Sequence, residues 1–156
     1  MELREKEEEV IPFKKVNIVL MVFLTILTIG IYTAYWFINR KNTLDSFSKK
    51  NYIPSKWWYA FLIYLSISFV YTFLGGFLFS EFGLAILDSI DTIITFYFVG
   101  LLYYSVFRLK EMIEAQAKEA NIKSWLLVLF NLWYIQYKIN SLNELRRDPR
   151  EEDSYA

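Results

Sequence analysis

The sequence predicts an all-α membrane protein. Two spanning helices, about 57–74 and about 90–107 with the latter extending to about 121, are flanked by two re-entrant or short membrane helical hairpins, about 14–45 and about 124–145. Three observations lead there. The composition is 55% hydrophobic, and stretches such as Val16–Ile38 and Trp57–Leu74 run without a single charge. The first of these stretches carries Thr28-Ile29-Gly30-Ile31-Tyr32 halfway along, β-branched residues crowded around a glycine, which is a poor centre for a plain span. Every lysine and arginine lies outside Trp57–Phe107.

Whole classes of chemistry are excluded. The chain has neither cysteine nor histidine, which removes disulfides, thiolate and imidazole metal sites, and imidazole-assisted nucleophiles. There is no G-x-S-x-G, phosphate loop or H-E-x-x-H. The expectation is therefore no enzyme, no cofactor and no metal. Seventeen basic residues balance 17 acidic ones, so the total gives no reason to expect a nucleic-acid partner.

Residues 1–12 are glutamate-rich and end at Pro12. They lack the basic start and small-residue cleavage site of a secretory signal, so Val16–Ile38 is expected to stay in the mature protein. A single helical membrane domain is expected over 13–145, with a disordered charged tail over 146–156.

Lys14 and Lys15 mark a membrane surface. Val16–Thr28 makes about 20 Å of helix, short of a roughly 30 Å bilayer core. A turn at Ile29-Gly30-Ile31 then sends Tyr32 onward back to the surface, into the polar connector that follows Asn39. Trp57-Trp58-Tyr59 begins the first spanning helix as an interfacial aromatic belt. Gly75-Gly76 is expected to end or kink it, and Phe77–Leu87 to lie along the far interface. Asp88-Ser89-Ile90-Asp91 then opens the second spanning helix. Gly100 offers that helix a flat spot for close packing. An amphipathic extension with a Glu114–Lys118 pair continues to a stop at Asn121. The last apolar run, Trp125–Tyr137, is interrupted by Asn131 and Gln136.

Charge weighs the topologies. A four-span bundle, the alternative, divides the 17 basic residues almost evenly between the two faces. Two returning hairpins place all 17 on one face and leave the other only Glu81, Asp88 and Asp91, which the positive-inside rule prefers. An internal echo agrees. Ile38-Asn39-Arg40-Lys41-Asn42-Thr43-Leu44 matches Ile139-Asn140-Ser141-Leu142-Asn143-Glu144-Leu145 as I-N-x-x-N-x-L. Only returning hairpins put both copies on the same face.

The segment Thr28-x-Gly30-Ile31-Tyr32-x-x-Tyr35-Trp36 resembles the hallmark of a prokaryotic membrane-protein family catalogued as domain of unknown function 4234. Leu132-x-Tyr134-Ile135-Gln136-Tyr137-Lys138-Ile139-Asn140 is similar to that family's closing segment. The resemblance implies a small multi-pass protein of the prokaryotic plasma membrane, with no catalytic residues to carry over.

Candidate sites are few. Asp88 and Asp91 share a helix face at i, i+3. As a helix start, Asp88 caps and Asp91 favours the positive end of the macrodipole; inside a membrane the pair would mark an ion or proton path. Lys14, Lys15, Asn39, Arg40, Lys41, Lys49 and Lys50 are candidates for lipid-headgroup contacts. Asn39, Asn42, Asn140 and Asn143 read as local caps or as an amide cluster. Ser66 and Ser68 are expected to hydrogen-bond within the bundle. The partners implied are the lipid bilayer and either another protein or a second copy of the chain. The function expected is a non-enzymatic scaffold, accessory or membrane-shaping protein with cytoplasmic termini. The alternative is an ion or small-solute transporter or channel component using Asp88 and Asp91.

Overall fold

The structure, a computed structural model, describes residues 13–47, 53–117 and 120–145. The N-terminal segment 1–12, the tail 146–156, Lys49, Lys50 and Lys118 lie outside the described residues. Those described are helical, without a strand: α1 (Ile18–Leu27), α2 (Ile31–Asn39), α3 (Lys41–Phe47), α4 (Ser55–Leu78), α5 (Glu81–Gln116) and α6 (Ser124–Leu145).

Asn17 caps α1, its side-chain oxygen accepting from the backbone N–H groups of Val19 and Leu20. The helix stops at the glycine motif. Ile29 and Gly30 adopt left-handed backbone (φ 49 and 90), a conformation that glycine enters freely and isoleucine does not. The turn is closed on itself. Thr28 Oγ1 donates to Leu24 O at 2.7 Å and accepts from Tyr32 N at 3.1 Å. Gly30 N donates to Thr25 O, Ile31 N to Thr28 O, and Thr33 N and Ala34 N both to Gly30 O. Every backbone N–H from Thr28 to Ala34 thus has a partner. The chain then returns to where it began. Arg40, just past α2, donates to the carbonyl oxygen of Lys14, just before α1, at 3.3 Å.

α2 lies antiparallel to α4. Phe37 stacks on Trp58 with ring centroids 4.2 Å apart. At the other end, a Cβ built on Gly30 would stand 3.9 Å from Leu65 and 3.6 Å from the Phe98 ring of α5. Beyond Leu65 the helix has no α2 beside it.

α4 and α5 form a long hairpin that departs from expectation at its tip. Gly75-Gly76 neither ends nor kinks α4, which continues to Leu78. Phe77–Leu87 is not a separate stretch between the two helices, because α5 opens at Glu81 with Ser80 as its cap, accepting from Gly83 N. The hairpin packs closely at Gly75, where an added Cβ would stand 2.7 Å from the Tyr71 ring and 3.3 Å from Leu84 of α5. Gly100, expected to serve that purpose, faces nothing within 4 Å. At its other end α5 stops at Gln116, before Asn121, which sits in the following loop at φ 34. Glu114 reaches Lys110 at 3.8 Å and accepts from Ile122 N at 3.0 Å.

α6 is broken at Asn131 (φ 51, ψ −131) into two limbs. The break is a sharp reversal. Lys123 N donates to the hydroxyl of Tyr134 at 3.3 Å, although in a straight helix the two residues would be about 16 Å apart along the axis. The first limb's carbonyl at Val128 accepts from the Tyr103 hydroxyl at 2.9 Å.

The packed core is confined to one end. It runs from Phe13 through Trp36 and Phe37 to Trp58 and Phe61, then resumes at Ser105 and Val106 and continues through Leu109 and Ile113 to Ile135 and Ile139. From residue 62 to residue 104 only Gly75 is buried. Both α4 and α5 are long and apolar enough to cross a membrane, yet 11% of α4's most apolar window and 0% of α5's are buried. A core helix of a soluble protein would be covered there; these are bare.

Candidate functional site

Two polar constellations stand out, one inside the packed end and one midway along the α4–α5 hairpin. The first ties Thr28–Trp36 and Leu132–Asn140 together. Gln136, fully buried on the second limb of α6, accepts at Oε1 from Trp36 Nε1 at 2.9 Å and from Arg40 Nη2 at 3.3 Å. Its Nε2 donates to Asn140 Oδ1 at 2.8 Å and to the Lys14 carbonyl at 3.4 Å. Asn140 in turn accepts from Val16 N and donates to Val16 O, while Asn143 donates to Phe13 O. The extended segment 13–16 has no helix or sheet to satisfy its backbone, so these amides do so instead. Arg40 also lies over the Trp36 ring at 4.2 Å. Burial draws its guanidinium down to about 10, with Tyr32 and Tyr35 acting in the opposite sense, so it stays charged at neutral pH.

Several sequence assignments change here. Arg40 is 7% exposed, so it is a buried clasp and not a headgroup contact. Asn140 and Asn143 hold another segment of chain instead of capping their own helix, and Asn39 and Asn42 take no part. Lys14 and Lys15 are exposed, and Lys15 pairs with Glu144 at 3.0 Å, a surface contact worth little. Lys41 is half-buried. Of the family-like residues, Thr28, Gly30, Ile31 and Tyr32 build the first turn and Trp36, Gln136 and Asn140 the clasp. Tyr134 braces the second turn. Tyr35 and Tyr137 are exposed.

The second constellation lies along the α4–α5 hairpin. Asp88 and Asp91 do not start a helix; α5 has already run two to three turns from Ser80. The capping reading therefore falls, because neither carboxylate is near the free N–H groups of a helix end. Instead they face α4. Asp91 Oδ1 accepts from both the Tyr64 hydroxyl and Ser68 Oγ, each at 2.6 Å, and Asp88 Oδ1 accepts from the Tyr71 hydroxyl at 3.0 Å. Of the two serines, Ser66 bonds only to Leu62 of its own helix. Tyr64 and Tyr71 went unremarked in the sequence. Tyr64, Ser68 and Tyr71 recur at i, i+4, i+7, a polar stripe on an otherwise apolar helix, and that period is the signal that could have found them.

Among the described residues no group of three or more acidic side chains is placed to bind a metal. The clasp ties the two hairpins together; at Asp91 a single carboxylate oxygen takes two hydroxyl donors from α4. No family model, curated protein or solved structure matches this chain.

Proposed function

We propose that the protein is a non-enzymatic, multi-pass membrane protein that shapes or scaffolds the leaflet on its basic side. α4 and α5 cross the bilayer, and α1–α2 and the two limbs of α6 dip into one leaflet and return. The observation that supports this most is the restriction of buried side chains to one end of the hairpin. In the near half α1, α2 and α6 pack around the bases of α4 and α5; in the far half those two helices stand alone. Such a body occupies more cross-section in one leaflet than in the other, and a bilayer accommodates that by bending.

Three further features support the reading. The α1–α2 turn sits level with Leu65, roughly 14 Å along α4 from Lys56, about the depth of one leaflet. Its backbone donors are all paired within the turn, which meets the main objection to a turn in hydrocarbon. The described basic residues lie with the packed end, and none lies between Trp57 and Phe107, so the positive-inside rule supports a cytoplasmic position for that end. The resemblance of Thr28–Trp36 to a prokaryotic membrane family supports, in this reading, a prokaryotic plasma membrane.

Reconstitution tests it. Imaging of proteoliposomes at rising protein-to-lipid ratio is expected to show smaller vesicles or tubules. A diameter distribution unchanged from protein-free liposomes would remove the shaping role and leave only a scaffold.

A further inference from the structure

We propose that the α4–α5 hairpin carries a binding site for a lipophilic organic monocation, with Asp91 as its anionic centre. The site is a groove of about 590 Å³ walled by Tyr64, Ile67, Tyr71, Leu74, Leu87 and Ile90 and open on one side. Asp91 lies in that wall. Both hydroxyl donors fall on its Oδ1, and among the described residues none donates to Oδ2. One oxygen is thus held in place while the other is left for a ligand.

Charge complementarity selects the occupant. No lysine or arginine lies between Trp57 and Phe107, so nothing in the hairpin neutralises Asp91. A second copy of the hairpin would bring only more carboxylates and no cation to pair with them. A metal ion such as calcium needs about six oxygen ligands to replace its water, whereas the side-chain oxygens on this wall are the Asp91 carboxylate and the hydroxyls of Tyr64, Ser66, Ser68 and Tyr71, each hydroxyl already donating to a carboxylate or a backbone carbonyl. A large organic cation has little hydration to lose. It gains from the apolar groove, the tyrosine rings and the carboxylate together. An ionisable residue within a spanning segment is itself a marker of such a path.

The inference rests on the spanning hairpin proposed above but not on any shaping of the leaflet, so vesicle diameter and ligand binding can fail separately. The test uses the full chain in lipid nanodiscs and equilibrium dialysis of tetraphenylphosphonium. Saturable binding is expected. Asp91→Asn should weaken it at least about thirtyfold, the loss when one partner of a desolvated charge pair is removed, and Glu111→Gln, on the surface about 30 Å further along α5, should leave it within about twofold of wild type. On the unaltered protein, which does not depend on any variant folding, tetraphenylborate and excess sodium should fail to displace the probe. Equal binding by Asp91→Asn, displacement by the anion, or unsaturable uptake that matches empty nanodiscs would each overturn the site.

Discussion

Trp36 and Gln136, a hundred positions apart in the chain, are joined by an indole N–H···O bond of 2.9 Å in which both side chains are fully buried. The bond matters because its acceptor is shared. Gln136 Oε1 also takes Arg40, and the other end of the same amide holds Lys14 and Asn140. Replacing Gln136 by leucine keeps the volume but strands the indole N–H and leaves the buried guanidinium only the Lys14 carbonyl and the Trp36 ring. Each buried polar group left without a partner costs about 1–3 kcal/mol. We therefore expect Gln136→Leu to destabilise the protein by about 2–4 kcal/mol, read as a lowered unfolding midpoint in detergent. A midpoint unchanged from wild type would mean the clasp contributes nothing.

The two turns are related. When Ile38-Asn39 is set on Ile139-Asn140, Gly30 falls on Asn131, and these are the positions where each hairpin reverses at positive φ. Asn131 is the less comfortable of the two. It combines φ 51 with ψ −131, and its Oδ1 is buried without a partner. Glycine tolerates that backbone and has no oxygen to bury. Asn131→Gly is expected to raise stability by about 1–2 kcal/mol, whereas Gly30→Ala should lower it by about 1–2 kcal/mol. Opposite signs at equivalent positions are the outcome to look for in paired thermal melts.

How much of this was legible can be read from the same residues. The first turn was visible because Gly30 sits among β-branched neighbours in an uncharged run, a local conflict that only a break resolves. The second was visible only as a polar interruption at Asn131, since asparagine signals left-handed backbone less strongly than glycine. The far tip was misread for a related reason. Gly75-Gly76 looks like punctuation, but in an apolar hairpin glycine also serves close approach, and only the position of Tyr71 and Leu84 distinguishes the two roles. The clasp was out of reach. Nothing in the spacing says that Asn140 and Asn143 satisfy the backbone of residues 13–16, because that partnership exists only once both hairpins have folded.

Gly75 and Gly76 make a controlled comparison. A methyl group at Gly75 meets the Tyr71 ring at 2.7 Å and forces it aside, while the same group at Gly76 meets nothing within 4 Å. Alanine in place of an exposed helical glycine gains up to about 1 kcal/mol in propensity, and overpacking costs about 1–3 kcal/mol. Gly76→Ala should therefore be neutral or stabilising. Gly75→Ala should be less stable than wild type, and infrared or fluorescence probes of the Tyr71–Asp88 contact should show it broken. If both variants melt alike, the helices do not approach closely at Gly75.

The sidedness of the chain is the most decisive expectation, and the absence of cysteine makes it clean to measure. Arg40 bonds to the Lys14 carbonyl, so the segment before α1 and the segment after α2 occupy the same end of the molecule. A membrane-impermeant thiol reagent should label cysteines placed at Lys15 and at Asn42 from one face and a cysteine at Ser80 from the other. The four-span alternative separates Lys15 from Asn42 by a complete crossing, and it also puts Asn42 opposite Asn143. Those two asparagines are equivalent in the I-N-x-x-N-x-L echo. A hairpin whose ends are held together by Arg40 cannot yield that pattern, so opposite labelling of Lys15→Cys and Asn42→Cys would require the clasp itself to be absent in the bilayer.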